Sequence, residues 1–557
     1  MKPRNILIVL FIFFAASCSK DFLNKLPLDA PSDANFFSNK AELELAINGA
    51  YTGLWWLGQS RVPYYLYLDA MTDIAWSRGD WAGAQTVQSG QFAPTTDIFN
   101  DVWSNMYKSI SKCNNILENM DRAQDQVSDE YYKSIQAQSI FLRSYYYFYL
   151  IELYGDVPWV TTMLSLDSAE LPRTPKAEIV QHLYDDLDFA TANLPDSWTG
   201  ADAGRATKGA ALTLKARLAL NEGDYETAAT AAKAVMDMGI YSLYPNYRDL
   251  FHYEGEGNGE IILNLPFLTG VQTSAIAQIE GPRYGSGYSI LVPTQTMVDL
   301  YQCTDGKPID ESTLYDPEKP FENRDPRLDQ SIIRPGMWFN NFLFQTDPDS
   351  KQTLLVQGGD TISMENTEVT NPYATFTGYL WYKYLDATDL PQNATNSELD
   401  VILMRYAEDL LTYAEAKIAL NQIDQSVIDA INQVRGRPTV EMPPVSLGMS
   451  QDELQSIVRY ERTVEFADEG FRLFDIRRWK YAEHVMPGNV YGRRKDAHWN
   501  DVVIPNINEY QNSVYPNPDA LFKIISVNTF DPAKNYLWPI PQKAIDVNSN
   551  LKQNSGY

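Results

Sequence analysis

The sequence predicts a mainly α-helical protein in which tetratricopeptide-like helix–turn–helix repeats pack against a loop-rich region with short strands. Three observations predict it. Apolar residues recur at three- and four-residue spacing through much of residues 41–240 and 400–480. Two Ala-rich helix pairs, far apart in the chain, share one internal pattern. Residues 240–400 and 485–557 are dense in Gly, Pro, Asp and Asn, with only short apolar runs such as Ile261-Ile262-Leu263.

The helical segments are expected at 101–121, 128–154, 176–193, 206–221 and 224–238. Ser128, with Asp129 and Glu130 behind it, is a helix start, and Gly155 with Pro158 is a stop. In KGAALTLKARLALNEGDYETAATAAKAVMDMG (208–239) the small Ala residues let two helices approach closely, and Asn221-Glu222-Gly223-Asp224 forms the turn. The second pair is expected at 402–437. Such pairs bury a shared core by stacking side by side. No clean linker divides the chain, so residues 41–557 are expected to form one domain. Its repeats lie mainly at 41–240 and 400–480, and its loop-rich ligand or partner region mainly at 240–400 and 485–557.

The N-terminus reads as a secretory leader. Lys2 and Arg4 are followed by nine apolar residues, Ile6 to Phe14, and then by small residues up to Cys18. Nine residues are too few to span a bilayer. AASC resembles a bacterial lipobox with Ala15 in place of the usual Leu. Residues 1–17 are thus expected to be a lipoprotein signal peptide, with Cys18 lipidated and residues 18–40 a tether. Of the other two cysteines, Cys113 and Cys303, nothing in the sequence shows proximity.

Composition excludes some functions. The 557 residues carry 72 acidic and 45 basic side chains, a formal net charge of -27. Nucleic-acid binding depends on Lys and Arg neutralising phosphates, so no nucleic-acid partner is expected. A polyanionic ligand is disfavoured too, except at a local basic pocket. His182, His252, His484 and His498 lack metal-ligand spacing, and GEGNGE (255–260) is a turn-rich loop that fails the dinucleotide pattern. No cofactor is predicted, and structural calcium, though possible in so acidic a chain, is not predicted. Glu461 and Glu465 share a helical face and are the best carboxylate pair for glycoside hydrolysis. Interleaved Arg459, Arg462, Arg472, Arg477 and Arg478 read instead as a salt-bridged structural segment, and NRDPRL (323–328) as an ion-paired corner. No catalytic residue is expected.

The aromatic residues point elsewhere. In DIAWSRGDWAGAQ (73–85), Trp76 and Trp81 lie in a polar, Gly-containing stretch without helical period, flanked by Arg78 and Asp80. Exposed indoles stack on the apolar face of a pyranose while charged neighbours bond its hydroxyls. Two further Gly-bearing loops carry rings, GPRYGSGY (281–288) with Tyr284 and GMWFNN (336–341) with Trp338. Trp55, Trp56 and Trp103 lie on helical segments and read as core. The run Tyr145 to Tyr149 covers every face of a helix, as core or a partner interface.

Motifs in a fixed order carry a resemblance. CSKDFL follows the leader, then SKCNNILENM (111–120), FLRSYYYFYLIELYGDVPWV (141–160), GRATKGAALTLKARLAL (204–220) and YQCTDGKPID (301–310). NRDPRL, RYAEDLLTYAEAK (405–417), ERTVEFADEGFRLFDIRRW (461–479) and LWPIPQKAIDVNSNLKQNSGY (537–557) complete the set. In this order the chain resembles the SusD/RagB family of outer-membrane nutrient-binding lipoproteins. The resemblance implies a SusD-like fold and a lipid-anchored position on the outer face of the outer membrane. It also implies oligosaccharide capture, with delivery to a SusC-like TonB-dependent transporter. By position it places Trp76, Arg78 and Trp81 at the ligand, beside the Asp80 that the residues themselves suggest, with Tyr284 and Trp338 from a second region. Ser19-Lys20-Asp21 resembles the family's surface-export signal. Alternative readings are peptide uptake on the same fold, a glycoside hydrolase, or a scaffold for a barrel.

Overall fold

Helix α1 (Lys40–Tyr51) starts where Asn39 caps it, its side chain accepting from the Glu42 N–H. In the computed structural model, which describes residues 36–57, 61–495 and 503–557, each later long helix stacks on the one before it. These are α2 (Asp97–Asn119), α3 (Asp129–Tyr154), α4 (Lys176–Asn193), α5 (Lys208–Glu222) and α6 (Tyr225–Met238). Their limits follow from local chemistry. Ser128 caps α3 and left-handed Gly223 closes α5; Asp224 then caps α6.

The next helix against α6 comes from far downstream. It is α7 (Tyr406–Ala419), with α8 (Gln425–Arg435) and α9 (Gln451–Glu465) packed behind it. The two Ala-rich pairs are therefore neighbours in one stack. Arg217 of α5 joins them, pairing with Glu408 at 2.6 and 2.7 Å and donating to the Leu403 carbonyl at 2.8 Å. The expected helix over residue 402 gives way to a strand. Val401–Arg405 pairs antiparallel with Ile261–Leu265, both nearly enclosed by the fold. A continuous apolar run buried on both faces loses the alternation that marks a strand.

Helix α3 is apolar nearly all round because neighbours enclose it. Its tyrosines need partners for their hydroxyls and find backbone carbonyls. Tyr146 donates to Ala50 at 2.9 Å, and Tyr154 to Phe99 at 2.6 Å. Tyr145 to Tyr149 are thus core. Trp56 and Trp103 are core as well, while Trp55 is half-buried. Cys113 and Cys303 are both free and buried, and burial pushes the Cys113 thiol up to about 12. No described helix is long and apolar enough to cross a membrane. Cys18 and the expected leader, and most of the tether, lie outside the described residues.

The segment around residues 459–479 is a buried ion network. Glu465 lies between Arg405 at 2.8 Å, Arg437 at 3.0 Å and Arg327 at 3.1 Å. Arg327, from NRDPRL, also pairs with Asp325 and Glu461, each at 2.8 Å. Arg472, at the start of α10 (Arg472–Arg478), forks onto Asp73 at 2.7 and 2.9 Å. Asp69 accepts the N–H groups of Glu469, Gly470 and Arg472. These bonds tie the region of the predicted ligand loop to the C-terminal helices.

A second set of buried carboxyls is less well satisfied. Burial raises Asp69 to about 7 and Glu280 to about 8, and raises Asp468, beside both, well above its ordinary value. Glu280 and Asp468 have no hydrogen-bond partner for either oxygen among the described residues. A carboxyl with a raised folded pKa contributes stability below its unfolded value and loses it as pH rises through the folded one. Glu465, held low by its arginines, and Glu469, held low by Arg405 and Lys383, lose their contribution only in acid. The thermal midpoint is therefore expected to be higher near pH 5.5 than near pH 8.5. Asp468→Asn should flatten that slope in scanning calorimetry; an unchanged slope would place the titration elsewhere.

Candidate functional site

Beside the main core lies a second hydrophobic cluster built from Trp76, Val292, Phe339, Phe342, Leu380 and their neighbours. Three segments distant in sequence meet over it: the strand around Trp76, the loop 281–288, and residues 371–378. Ala75–Ser77 pairs antiparallel with Leu291–Pro293, with Trp76 opposite Val292. That pairing turns the Trp76 ring inward, where it is 3% exposed and lies 5.5 Å from Phe376. This corrects the expectation of an exposed stacking indole. A three-residue strand is too short to show period-two alternation, so the ring's direction was not readable.

Beyond the strand the chain turns outward. Arg78 is half-buried; its Nη2 donates to the Tyr288 carbonyl at 2.7 Å, and its guanidinium lies 5.3 Å over the Tyr373 ring. Gly79, at φ +75°, lets the half-buried Trp81 ring fold back against the main core. Asp80 accepts from the Thr86 N–H at 2.9 Å and its hydroxyl at 2.6 Å, and so holds the following turn. Trp81 and Asp80 thus each serve the local fold, the ring half-buried and the carboxylate exposed.

The loop 281–288 is shaped by its glycines. A Cβ on Gly287 would fall 2.1 Å from the Gly281 carbonyl oxygen, and one on Gly285 would fall 2.8 Å from Leu390. Only glycine permits so close a return, which sets Tyr284 inward against Phe342 at 4.7 Å and Tyr288 outward, 37% exposed. Arg283 lies 5.4 Å over the Tyr288 ring. Glu368 accepts the Tyr284 N–H at 3.1 Å, and burial raises its carboxyl to about 7.

Trp338 belongs to a four-stranded antiparallel sheet of 338–339, 342–343, 352–357 and 360–365. Phe339, Phe342 and Leu355 share the face toward the second cluster. Trp338 shares the opposite face with Leu343, Leu354 and Val356, and is 48% exposed. It is therefore on the same hairpin as the ring that Tyr284 packs on, but on the other side.

Sequence reasoning missed Tyr373, which is 59% exposed in the turn-rich stretch NPYATFTG, and passed over Arg283 and Tyr288 inside a loop it had singled out. The signal for Tyr373 was present: a ring among Asn, Pro, Thr and Gly, as in the loops that were chosen.

Two other places hold functional side-chain types. A cleft of about 750 Å³ is lined by Trp55, Trp198, Tyr51 and Tyr241. Its indoles already donate to backbone carbonyls, Trp55 to Pro266 and Trp198 to Ala206, both at 2.8 Å, so they serve the fold first. His252, Glu254 and Asp386 bring one potential ligand atom each within 4.8 Å of one another, the one such group among the described residues. The histidine's Nε2 lies 3.0 Å from the Tyr382 carbonyl oxygen. Glu461 and Glu465, weighed for glycoside hydrolysis, are fully enclosed by arginines, and Glu465 is held far below the range of a proton donor.

The fold is thus a helical stack that presents loop-borne rings on an aromatic base. The chain belongs to the SusD family, whose model matches residues 263–557, while a model described as "Starch-binding associating with outer membrane" matches residues 21–220. It is 25% identical to SusD-like protein P2 of Formosa agariphila, over 100% of both chains. It is 26% identical to Starch-binding protein SusD of Bacteroides thetaiotaomicron, over 68% of this chain and 71% of that one. Among solved structures, a SusD-like carbohydrate binding protein from Bacteroides fragilis superposes with TM-score 0.81 at 27% identity, covering 93% of this chain and all of the other. A laminarin binding SusD-like protein shares the fold at TM-score 0.69 and 20% identity, covering 93% of this chain and all of that one.

Proposed function

We propose that this protein captures oligosaccharides at the cell surface and delivers them to a SusC-like TonB-dependent transporter, without altering them chemically. The observation that carries the reading is the group of solvent-facing rings, Tyr288 and Tyr373, set beside Arg78 and Arg283 over a rigid aromatic base. Flat rings with fixed donors beside them suit pyranose faces and hydroxyls. Family membership and the starch-binding name of one relative support a glycan ligand. The leader ending at Cys18 supports a lipid anchor that keeps the site beside an outer-membrane pore.

Tyr288→Ala combined with Tyr373→Ala is expected to weaken oligosaccharide binding by about tenfold or more while leaving the circular dichroism melt in place. Glycan-array screening followed by calorimetry on the bound sugar measures it. Undiminished binding in the double variant would move the ligand to another surface, with the cleft at Trp55 and Trp198 the next to test.

A further inference from the structure

Four half-buried cations ring the second hydrophobic cluster, and none of them has a carboxylate within 4.0 Å among the described residues. Arg78 and Arg283 form one pair. Each has a buried Nε without a hydrogen-bond partner among the described residues. Burial, and then the charge of Arg283, lowers the pKa of Arg78. Lys523 and Arg493 form the other. The Lys523 ammonium lies 4.3 Å over Phe376, the ring that covers Trp76, and burial followed by Arg493 lowers its pKa. The Arg493 N–H donates to the Thr377 carbonyl at 2.6 Å. Tyr373 and Phe376 are three residues apart, so both pairs flank the same loop.

This arrangement runs against the rest of the molecule. The chain has 72 acidic side chains for 45 basic ones, and most of its buried arginines, such as Arg217, Arg327, Arg405 and Arg472, are met by carboxylates, while Arg324 donates to backbone carbonyls. Two acidic groups come near without closing the gap. Glu368 spends its carboxyl on the backbone of the 281–288 loop, and Asp347 offsets Arg493 without forming an ion pair. Like charges held together in partial burial oppose folding, and an anionic ligand relieves them. Guanidinium forks match carboxylate and sulfate oxygens, and the rings between them remain for the sugar face.

We infer that the site takes an acidic oligosaccharide, bearing carboxylate or sulfate groups, with Arg78, Arg283, Lys523 and Arg493 receiving its charges. The inference rests on the glycan-binding reading and narrows it to charged glycans. It also answers the disfavouring of polyanions by overall composition, since a local basic rim is the one arrangement that escapes it.

The test is calorimetry on the full chain in detergent with three probes of equal length: an oligogalacturonate, a sulfated carrageenan oligosaccharide and neutral maltooligosaccharide. One acidic probe is expected to bind about tenfold or more tighter than the neutral one, and to weaken as salt is raised. Which acidic probe prevails tells carboxylate from sulfate. Arg78→Gln with Arg283→Gln should reduce the acidic-over-neutral preference by about tenfold. Lys523→Gln, at the far edge of the rim, should reduce it too, and serves if the arginine pair disturbs folding. Neutral sugar binding as tightly as both acidic probes, without salt dependence, overturns the inference and leaves the glycan reading standing. Binding of none of the three overturns both.

Discussion

Replacing Glu465 with alanine is expected to lower folding stability by ~3–5 kcal/mol, among the largest single losses available in the molecule. The carboxylate is fully buried and holds Arg405, Arg437 and Arg327 together through its two oxygens. Removing it leaves three guanidinium groups out of water with one partner fewer each. Burying a charge without its partner costs more than the pair contributes when intact. The three arginines come from different places: the end of the 401–405 strand, the turn after α8, and NRDPRL. The loss therefore falls on the joint between the helical stack and the loop-rich region. Since its arginines hold Glu465 far below its ordinary value, it stays ionised above pH 4, and the loss should be equal at pH 5.5 and pH 8.5. Denaturant titration at both pH values measures it. Glu44→Ala, which removes the exposed pair Lys40–Glu44, is the control and should change stability by less than ~1 kcal/mol. Equal effects from the two variants would mean that the network is not fully enclosed.

Local chemistry carried most of the helices. Ser128 and Gly155 frame α3, and Asn221 to Asp224 turn α5 into α6, because caps and left-handed glycines act within a few residues. The arginine-rich segment 459–479 was also legible as an ion network, since interleaved charge on a partly apolar helix has few other uses. Its partners were not legible. Glu260 ends GEGNGE, a stretch with every mark of an exposed turn, yet it is buried against Arg405 and Arg437. Nothing beside it in sequence announces a contact with residues so far along the chain. The site divides in the same way. The loops 73–85 and 281–288 were found because rings among glycines and polar residues stand out. Which ring faces water was decided by strand pairing for Trp76 and by the return of the loop onto Gly281 for Tyr288, and both are tertiary facts. The basic rim was the least legible feature, since Arg78, Arg283, Arg493 and Lys523 come from four distant stretches of chain and become a group only when these close over one cluster.

Trp76→Ala is expected to cost ~3–5 kcal/mol, as removal of a fully buried aromatic side chain does. The ring is enclosed between its own strand and Phe376, and Phe376 in turn lies beneath Lys523. Emptying that space removes the base on which the 371–378 loop rests, so ligand binding should fall together with the melting temperature. Tyr373→Ala should behave in the opposite way, weakening binding with a stability change within about 0.5 kcal/mol, because its ring is mostly in solvent. Trp76→Phe discriminates further. The indole Nε1 has no hydrogen-bond partner among the described residues, so phenylalanine forfeits area but no bond. It should recover most of the stability and most of the binding. A Trp76→Ala variant that melts like the parent yet no longer binds would instead return Trp76 to direct contact with the sugar, and the base would have to be sought in Phe342 and Phe339.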